Sequence, residues 1–195
     1  MTRWLAPLLI LFLSACSEPA RIELNRDAKV LAFGDSLTVS VGAKHSSYPE
    51  QLAHLTGLEV IASGVSGEQT HQGLARLNDT LAKHQPGVLV LLEGGNDFLR
   101  NKQPHAVKNN LAAMIELAHR QGIEVILVAV PQKSLFLNDA PLYQELAEQY
   151  QVPLVANTLS DLLGNNQYKS DQVHLNDTGY RLLAEAVAEQ IHVVK

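Results

Sequence analysis

The sequence predicts a three-layer α/β/α sandwich on a five-stranded parallel sheet of strand order 2-1-3-4-5. Short apolar runs of strand type alternate with amphipathic stretches from Lys29 onward, the pattern of strands joined by crossover helices. The run Val88–Leu92 is apolar at every position, as a strand covered on both faces must be. Only five strand-type runs occur, too few for a closed eight-stranded barrel. The order 2-1-3-4-5 sets the ends of the first and third strands side by side, at the switch point where such sheets bind ligands.

Taken in order, Val30–Phe33 is the first strand and stops at Gly34-Asp35-Ser36. Tyr48–Leu55 reads as a helix closed by Gly57, and Glu59–Ala62 as the second strand, followed by Ser63-Gly64-Val65-Ser66-Gly67. From about Thr70 to His84, Leu74, Leu77 and Leu81 recur at helical spacing until Pro86-Gly87 breaks the pattern. Val88–Leu92 is the third strand, closed by Gly94-Gly95-Asn96-Asp97. Pro104–Arg120 is a long helix with Val107, Leu111, Met114, Ile115 and Ala118 on one face and Gly122 beyond its end. Glu124–Val130 is the fourth strand, stopped by Pro131. Ala140–Tyr150 is helical, Val152–Val155 is the fifth strand, and Tyr180–Ile191 is a terminal amphipathic helix.

Length and composition suit one such domain. The chain has 195 residues, 46% hydrophobic and 18% charged, enough for one real core and too little for two. Its formal charge of −5, without a basic cluster and with 5% aromatic residues, argues against a nucleic-acid partner. The amino terminus reads separately. Arg3 precedes an apolar stretch, Leu5–Leu13, that is too short to span a bilayer and has the shape of a secretory signal peptide. Leu13-Ser14-Ala15-Cys16 resembles the lipobox of bacterial lipoproteins. That resemblance implies cleavage after residue 15 and a lipid on Cys16, the sole cysteine of the chain. Residues 16–27 then read as a lipidated tether and 28–195 as the single domain. The mature chain would carry 14 basic against 20 acidic residues, so membrane attachment would rest on acyl chains rather than on charge.

A serine two residues after a strand end can hold its hydroxyl above the sheet edge with its amide free as a donor. Taken alone, Gly34-Asp35-Ser36 is equally a turn that caps the next helix, since all three residues favour turns and caps. Three further segments follow strand ends: Gly64-Val65-Ser66-Gly67, Gly94-Gly95-Asn96-Asp97 and Asp171-Gln172-Val173-His174. Together the four blocks resemble the SGNH hydrolases, also called the GDSL esterase/lipase family. They run in that family's order from Gly34 to His174. The segments Gln72–Leu77 and His84-Gln85-Pro86 are similar to the bacterial periplasmic thioesterase/lysophospholipase/arylesterase branch.

The resemblance implies a nucleophile at Ser36, a general base at His174 and an orienting carboxylate at Asp171. The chemistry suits those residue types. A serine hydroxyl is a poor nucleophile until a base takes its proton. A carboxylate three residues before His174 is brought beside the ring by one turn, where it fixes the tautomer and stabilises the imidazolium. Without these partners His174 would read as a surface histidine before a helix capped by Asn176 or Asp177, much as His54, His84 and His119 read as helix-surface residues. By resemblance the oxyanion donors are the amides of Ser36 and Gly67 and the side-chain amide of Asn96. Glycine admits a close approach, and Asn96 is a neutral donor that cannot compete as a base. Gly64 is the rival to Gly67, and a plain turn is the rival role for Asn96. Asp35 and Asp97 read as scaffold residues that bind loop amides. Two positions depart from the family pattern: Ala62 stands where many members have asparagine, and Glu93 adjoins the third block, where it is expected to point away, towards a loop amide.

These readings predict a serine esterase that works through an acyl-enzyme, without metal or cofactor. There is no cysteine pair, no His-Glu-x-x-His and no Gly-x-Gly-x-x-Gly after the first strand. The mid-chain Gly-x-Ser-x-Gly of α/β-hydrolases is also absent. Lysophospholipids, thioesters and short-chain or aryl esters are the expected substrates, with Phe98, Leu99, Pro131, Leu135, Phe136 and Leu137 as candidates for the acyl groove. The alternatives are a carbohydrate O-deacetylase of the same fold and a non-catalytic, flavodoxin-like binding lipoprotein. The expected state is a monomer, lipid-anchored in the bacterial cell envelope, with the outer membrane favoured by Ser17 after the cysteine.

Overall fold

A computed structural model describes residues 21–132 and 137–194. Seven strands and eight helices follow in the order β1 (Ile22–Leu24), β2 (Lys29–Gly34), α1 (Ser36–Val39), α2 (Tyr48–Thr56), β3 (Glu59–Gly64), α3 (Thr70–His84), β4 (Val88–Leu92), α4 (Gly95–Leu99), α5 (Pro104–Arg120), β5 (Glu124–Val128), α6 (Pro141–Tyr150), β6 (Leu154–Val155), α7 (Thr158–Gly164), α8 (Asp177–Ala188) and β7 (Ile191–Val193). The main sheet is parallel throughout, ordered β3-β2-β4-β5-β6. Counted along the five sheet strands this is 2-1-3-4-5, as predicted. β2 and β4 sit centrally and are almost wholly buried, while β3 at one edge is partly exposed. α2 packs with α8, and α3 with α5, so the sheet lies between two groups of helices.

The core explains the strand positions. Val30, Leu31, Ala32 and Phe33 of β2 and all five residues of β4 are fully buried, each face covered by helix side chains such as Leu77, Leu81, Leu111, Met114, Leu183 and Val187. α2 begins with a reciprocal cap in which Ser47 accepts from the Glu50 amide and Glu50 accepts from the Ser47 amide.

Three expectations are corrected. The tether does not extend to residue 27: Ile22 and Leu24 are buried either side of exposed Glu23, and β1 pairs in parallel with β7 through Ile22 and Ile191. A three-residue strand is too short to stand out in the hydrophobic pattern, and it is held by its distant partner. For the same reason the terminal helix stops at Ala188, and Ile191 starts a strand instead of closing a helix. Finally, the short helices α1, α4 and α7 occupy segments to which the sequence pattern assigns no helix, since runs of 4 to 7 residues are too short to show a helical period.

Candidate active site

The site is assembled from chain segments that leave the carboxyl ends of the strands. β2 must end in glycine, because a Cβ on Gly34 would lie 2.0 Å from the Leu92 carbonyl oxygen of neighbouring β4. Asp35 then caps α1 by accepting the Leu37 amide at 2.9 Å. Ser36 is the first residue of that helix, where backbone amides lack intrahelical acceptors and point outward.

His174 arrives from a tight reversal 138 residues later. Lys169 bridges Leu175, the Ser170 amide donates to the His174 carbonyl, and Asn176 caps α8 while its side-chain amide donates to the Gln167 carbonyl at 2.8 Å. Two contacts dock this segment on the chain after α1. The Tyr180 hydroxyl donates to the Val41 carbonyl at 2.7 Å, and Asp177 accepts the amides of Lys44 and His45. The outcome is a continuous relay. Asp171 Oδ2 lies 2.8 Å from His174 Nδ1, and His174 Nε2 lies 3.0 Å from Ser36 Oγ. Desolvation opposes the Asp171 charge, but the Val173 and His174 amides and the His174 ring hold its carboxyl below the usual range.

Opposite the relay stand Gly67 and Asn96. Gly67 adopts φ +79, a conformation that suits glycine, and lines the cleft beside Ser36. Asn96 sits in the first turn of α4, entered through Gly94 at φ +115. A Cβ at Gly94 would meet the Tyr143 hydroxyl at 2.4 Å, and that hydroxyl donates to the Glu93 carbonyl at 2.6 Å. Asn96 Nδ2 donates one hydrogen to Asp35 Oδ2 at 3.0 Å, which leaves its second hydrogen for the cleft. Burial pushes the Asp35 carboxyl up to about 6, restrained by the Leu37 amide and Asn96. Asp97 is a clamp, accepting the amide and hydroxyl of Thr70 at 2.8 and 2.9 Å. Ser36, Gly67, Asn96 and His174 all face one open cleft of about 600 Å³.

A family model described as the GDSL-like lipase/acylhydrolase family matches residues 32–182, a span that holds every one of these segments. The chain belongs to that family. It is 30% identical to an arylesterase of Vibrio mimicus over 98% of both chains. It is 28% identical to thioesterase 1/protease 1/lysophospholipase L1 of Escherichia coli K12, over 97% of this chain and 92% of the relative. A crystal structure of TesA superposes with a TM-score of 0.71 at 26% identity, covering 83% of this chain and 97% of that one. With its hydrogen-bonded serine, histidine and aspartate, this GDSL-family member is a carboxylic ester hydrolase.

The hydrolase carries a buried charge cluster under the cleft. Arg76 donates to both carboxylate oxygens of Glu68, to Ser63 and to the Gly34 carbonyl, and stacks 3.8 Å over the Phe33 ring. Glu93 does not reach a loop amide as expected. It is fully buried, close to Gly73, and its one side-chain hydrogen-bond neighbour among the described residues is the Glu68 carboxylate, a contact that only a protonated Glu93 can make. Burial, reinforced by the negative charges of Asp35 and Glu68, pushes its carboxyl up to about 10, so Glu93 is neutral at pH 7. A neutral acid there spares the site a further buried anion.

Of the groove candidates, Phe98, Leu99, Pro131 and Leu137 line the cleft of the hydrolase. Leu135, Phe136 and the lipobox Cys16 lie outside the described residues. Leu37, Val41, Val130, Leu163 and Val173 add to the apolar wall. Nothing in their local pattern marks them, since each depends on a neighbour distant in sequence. Among the described residues no group of three His, Cys, Asp or Glu side chains is placed to hold a metal.

Proposed function

We propose that Ser36 is the nucleophile, His174 its general base and Asp171 the carboxylate that orients His174. The observation that carries this is the unbroken relay from Asp171 through His174 to Ser36, at the mouth of an apolar cleft. His174 Nε2 takes the Ser36 proton as Oγ attacks the ester carbonyl carbon. The negative charge on the carbonyl oxygen is met by the amides of Ser36 and Gly67 and the free hydrogen of Asn96. His174 then gives its proton to the leaving alcohol or thiol. Water, activated by the same histidine, releases the acid from the acyl-enzyme. The apolar wall of Val41, Phe98, Leu99, Pro131 and Leu163 suits an aliphatic or aryl acyl group, which favours lysophospholipids, thioesters and short-chain or aryl esters as substrates.

The lipobox supports maturation at Cys16, with residues 1–15 removed and the domain held on the bacterial cell envelope, at the periplasmic side of the outer membrane. The deciding test is covalent labelling. A fluorophosphonate should label the native protein and leave folded Ser36→Ala unlabelled; persistent labelling removes Ser36 as nucleophile. A panel of p-nitrophenyl esters of rising chain length, with lysophosphatidylcholine and a sugar acetate, ranks the substrates. Preference for the sugar acetate would overturn the acyl-ester assignment.

A further inference from the structure

Two of the three proposed oxyanion donors come from different strand ends, Gly67 from the loop after β3 and Asn96 from α4 after β4. Gly67 has no side chain with which to pack, and its φ of +79 leaves its peptide to be held by other groups. The Asp97–Thr70 clamp joins the two segments, but three residues beyond Gly67. At Gly67 itself the join is Arg100. One guanidinium nitrogen, Nη1, donates to the Gly67 carbonyl at 3.1 Å and to the Asn96 carbonyl at 3.5 Å. The other, Nη2, lies 3.7 Å from the point where a Cβ of Gly67 would be. The Asn96 carbonyl is also the acceptor for the Arg100 amide at 3.1 Å, so the bridge starts from a backbone already fixed to α4. Arg100 is exposed and pairs with no carboxylate among the described residues.

We infer that Arg100 is a positioning residue for ester hydrolysis, a bridge that holds the Gly67 loop against the Asn96 turn so that both present their donors to one oxygen. The inference rests on the oxyanion roles proposed above for Gly67 and Asn96. Oxyanion donors stabilise the transition state only when already aimed at it, and small misplacements cost large factors in rate. Both contacts come from Nη1, whose two hydrogens are held in a fixed direction by the planar guanidinium, so geometry matters as well as charge. A lysine ammonium keeps the cation but ends in a point on a flexible stem.

The test compares native enzyme, Arg100→Ala and Arg100→Lys on two butyrate esters, neutral p-nitrophenyl butyrate and anionic 3-carboxy-4-nitrophenyl butyrate. Thermal midpoints confirm that each variant is folded, and Arg100→Lys alone suffices should Arg100→Ala fail to fold. Positioning predicts that kcat falls on the order of 10- to 100-fold on both esters in both variants, with KM nearly unchanged. Unchanged kcat on the neutral ester overturns it, as does a rise in KM confined to the anionic ester, which would make Arg100 an anion contact. If the native enzyme shows no Ser36-dependent turnover on either ester, it is the esterase reading that fails. Normal native turnover with unaffected Arg100 variants refutes this inference alone.

Discussion

Asn96 offers a quantitative test of the site, because its side chain serves two purposes that separate substitutions pull apart. One hydrogen of Nδ2 holds Asp35 Oδ2 at 3.0 Å, and the other faces the cleft. Asn96→Ala removes the proposed oxyanion donor, and loss of one such donor costs about 3–4 kcal/mol of transition-state stabilisation, roughly 100- to 1,000-fold in turnover. It also strips a buried carboxylate of one partner, at about 1.5–3 kcal/mol of stability, or roughly 3–12 °C in melting temperature for a chain of this size. Asn96→Asp is harsher. Two carboxylates at that spacing repel by about 5–6 kcal/mol at an effective dielectric of 20, so the pair retains a proton and stability falls further. Turnover on an aryl ester, measured well below every melting midpoint and divided by folded protein, isolates the chemistry. The exchange variant Asp35→Asn/Asn96→Asp supplies the control. It rebuilds the hydrogen bond with donor and acceptor reversed, so stability should recover while turnover stays low, an anion now facing the oxyanion. Folded Asn96→Ala retaining turnover within about threefold of native would refute the oxyanion assignment.

Other expectations follow from the buried acid and the lipobox. Native Glu93 keeps a proton from its ordinary 4.5 to about 10, a range in which the unfolded chain has lost it, so its burial costs more stability as pH rises through that window. Glu93→Gln should therefore raise the melting temperature, by the equivalent of about 3 kcal/mol at pH 7 and by more at pH 9; a gain that does not grow between pH 5 and 9 counts against a neutral Glu93. Cys16→Ser should abolish acylation and shift the protein from membrane to soluble fractions. Unchanged partitioning, with no lipid mass on the native chain, would sink the lipoprotein reading.

Most of the sheet was legible because its strands are central. β2, β4 and β5 are continuous apolar runs cut off by Gly34, Gly94 and Pro131, and each signal is contained in its own few residues. β1 and β7 were not legible, because each is stabilised by the other across more than 160 residues. The site divides the same way. Ser36, Gly67, Asn96 and His174 sit in short blocks that are each ambiguous alone and point to a site only through the family resemblance of the four together. Arg100 does not, since an arginine after a short helix looks like any solvated cation until its two carbonyl acceptors are seen. Glu93 was expected at a loop amide because a carboxylate seeks a partner. Its burial among Asp35, Glu68 and Arg76 allows another outcome, in which it keeps its proton and faces the Glu68 carboxylate as a donor.

If Cys16 is the anchor, the β1–β7 annex also bears on which way the enzyme looks. Leu24 of β1 lies 3.7 Å from where a Cβ of Gly87 would be, beside the Lys29 carbonyl, at the amino-terminal end of the sheet. Ser36 stands past the far end of β2, six strand residues or about 20 Å away. From Cys16 to Arg21 the chain can reach at most about 18 Å. A protein acylated at Cys16 would therefore stand on its amino-terminal pole with its mouth turned outward, like a lamp on a short post. Its own leaflet would then lie behind it. In proteoliposomes such an enzyme should consume lysophospholipid carried by a second set of vesicles faster than the same lipid placed in the vesicles that hold it, and the reverse order would show that the mouth faces its anchor.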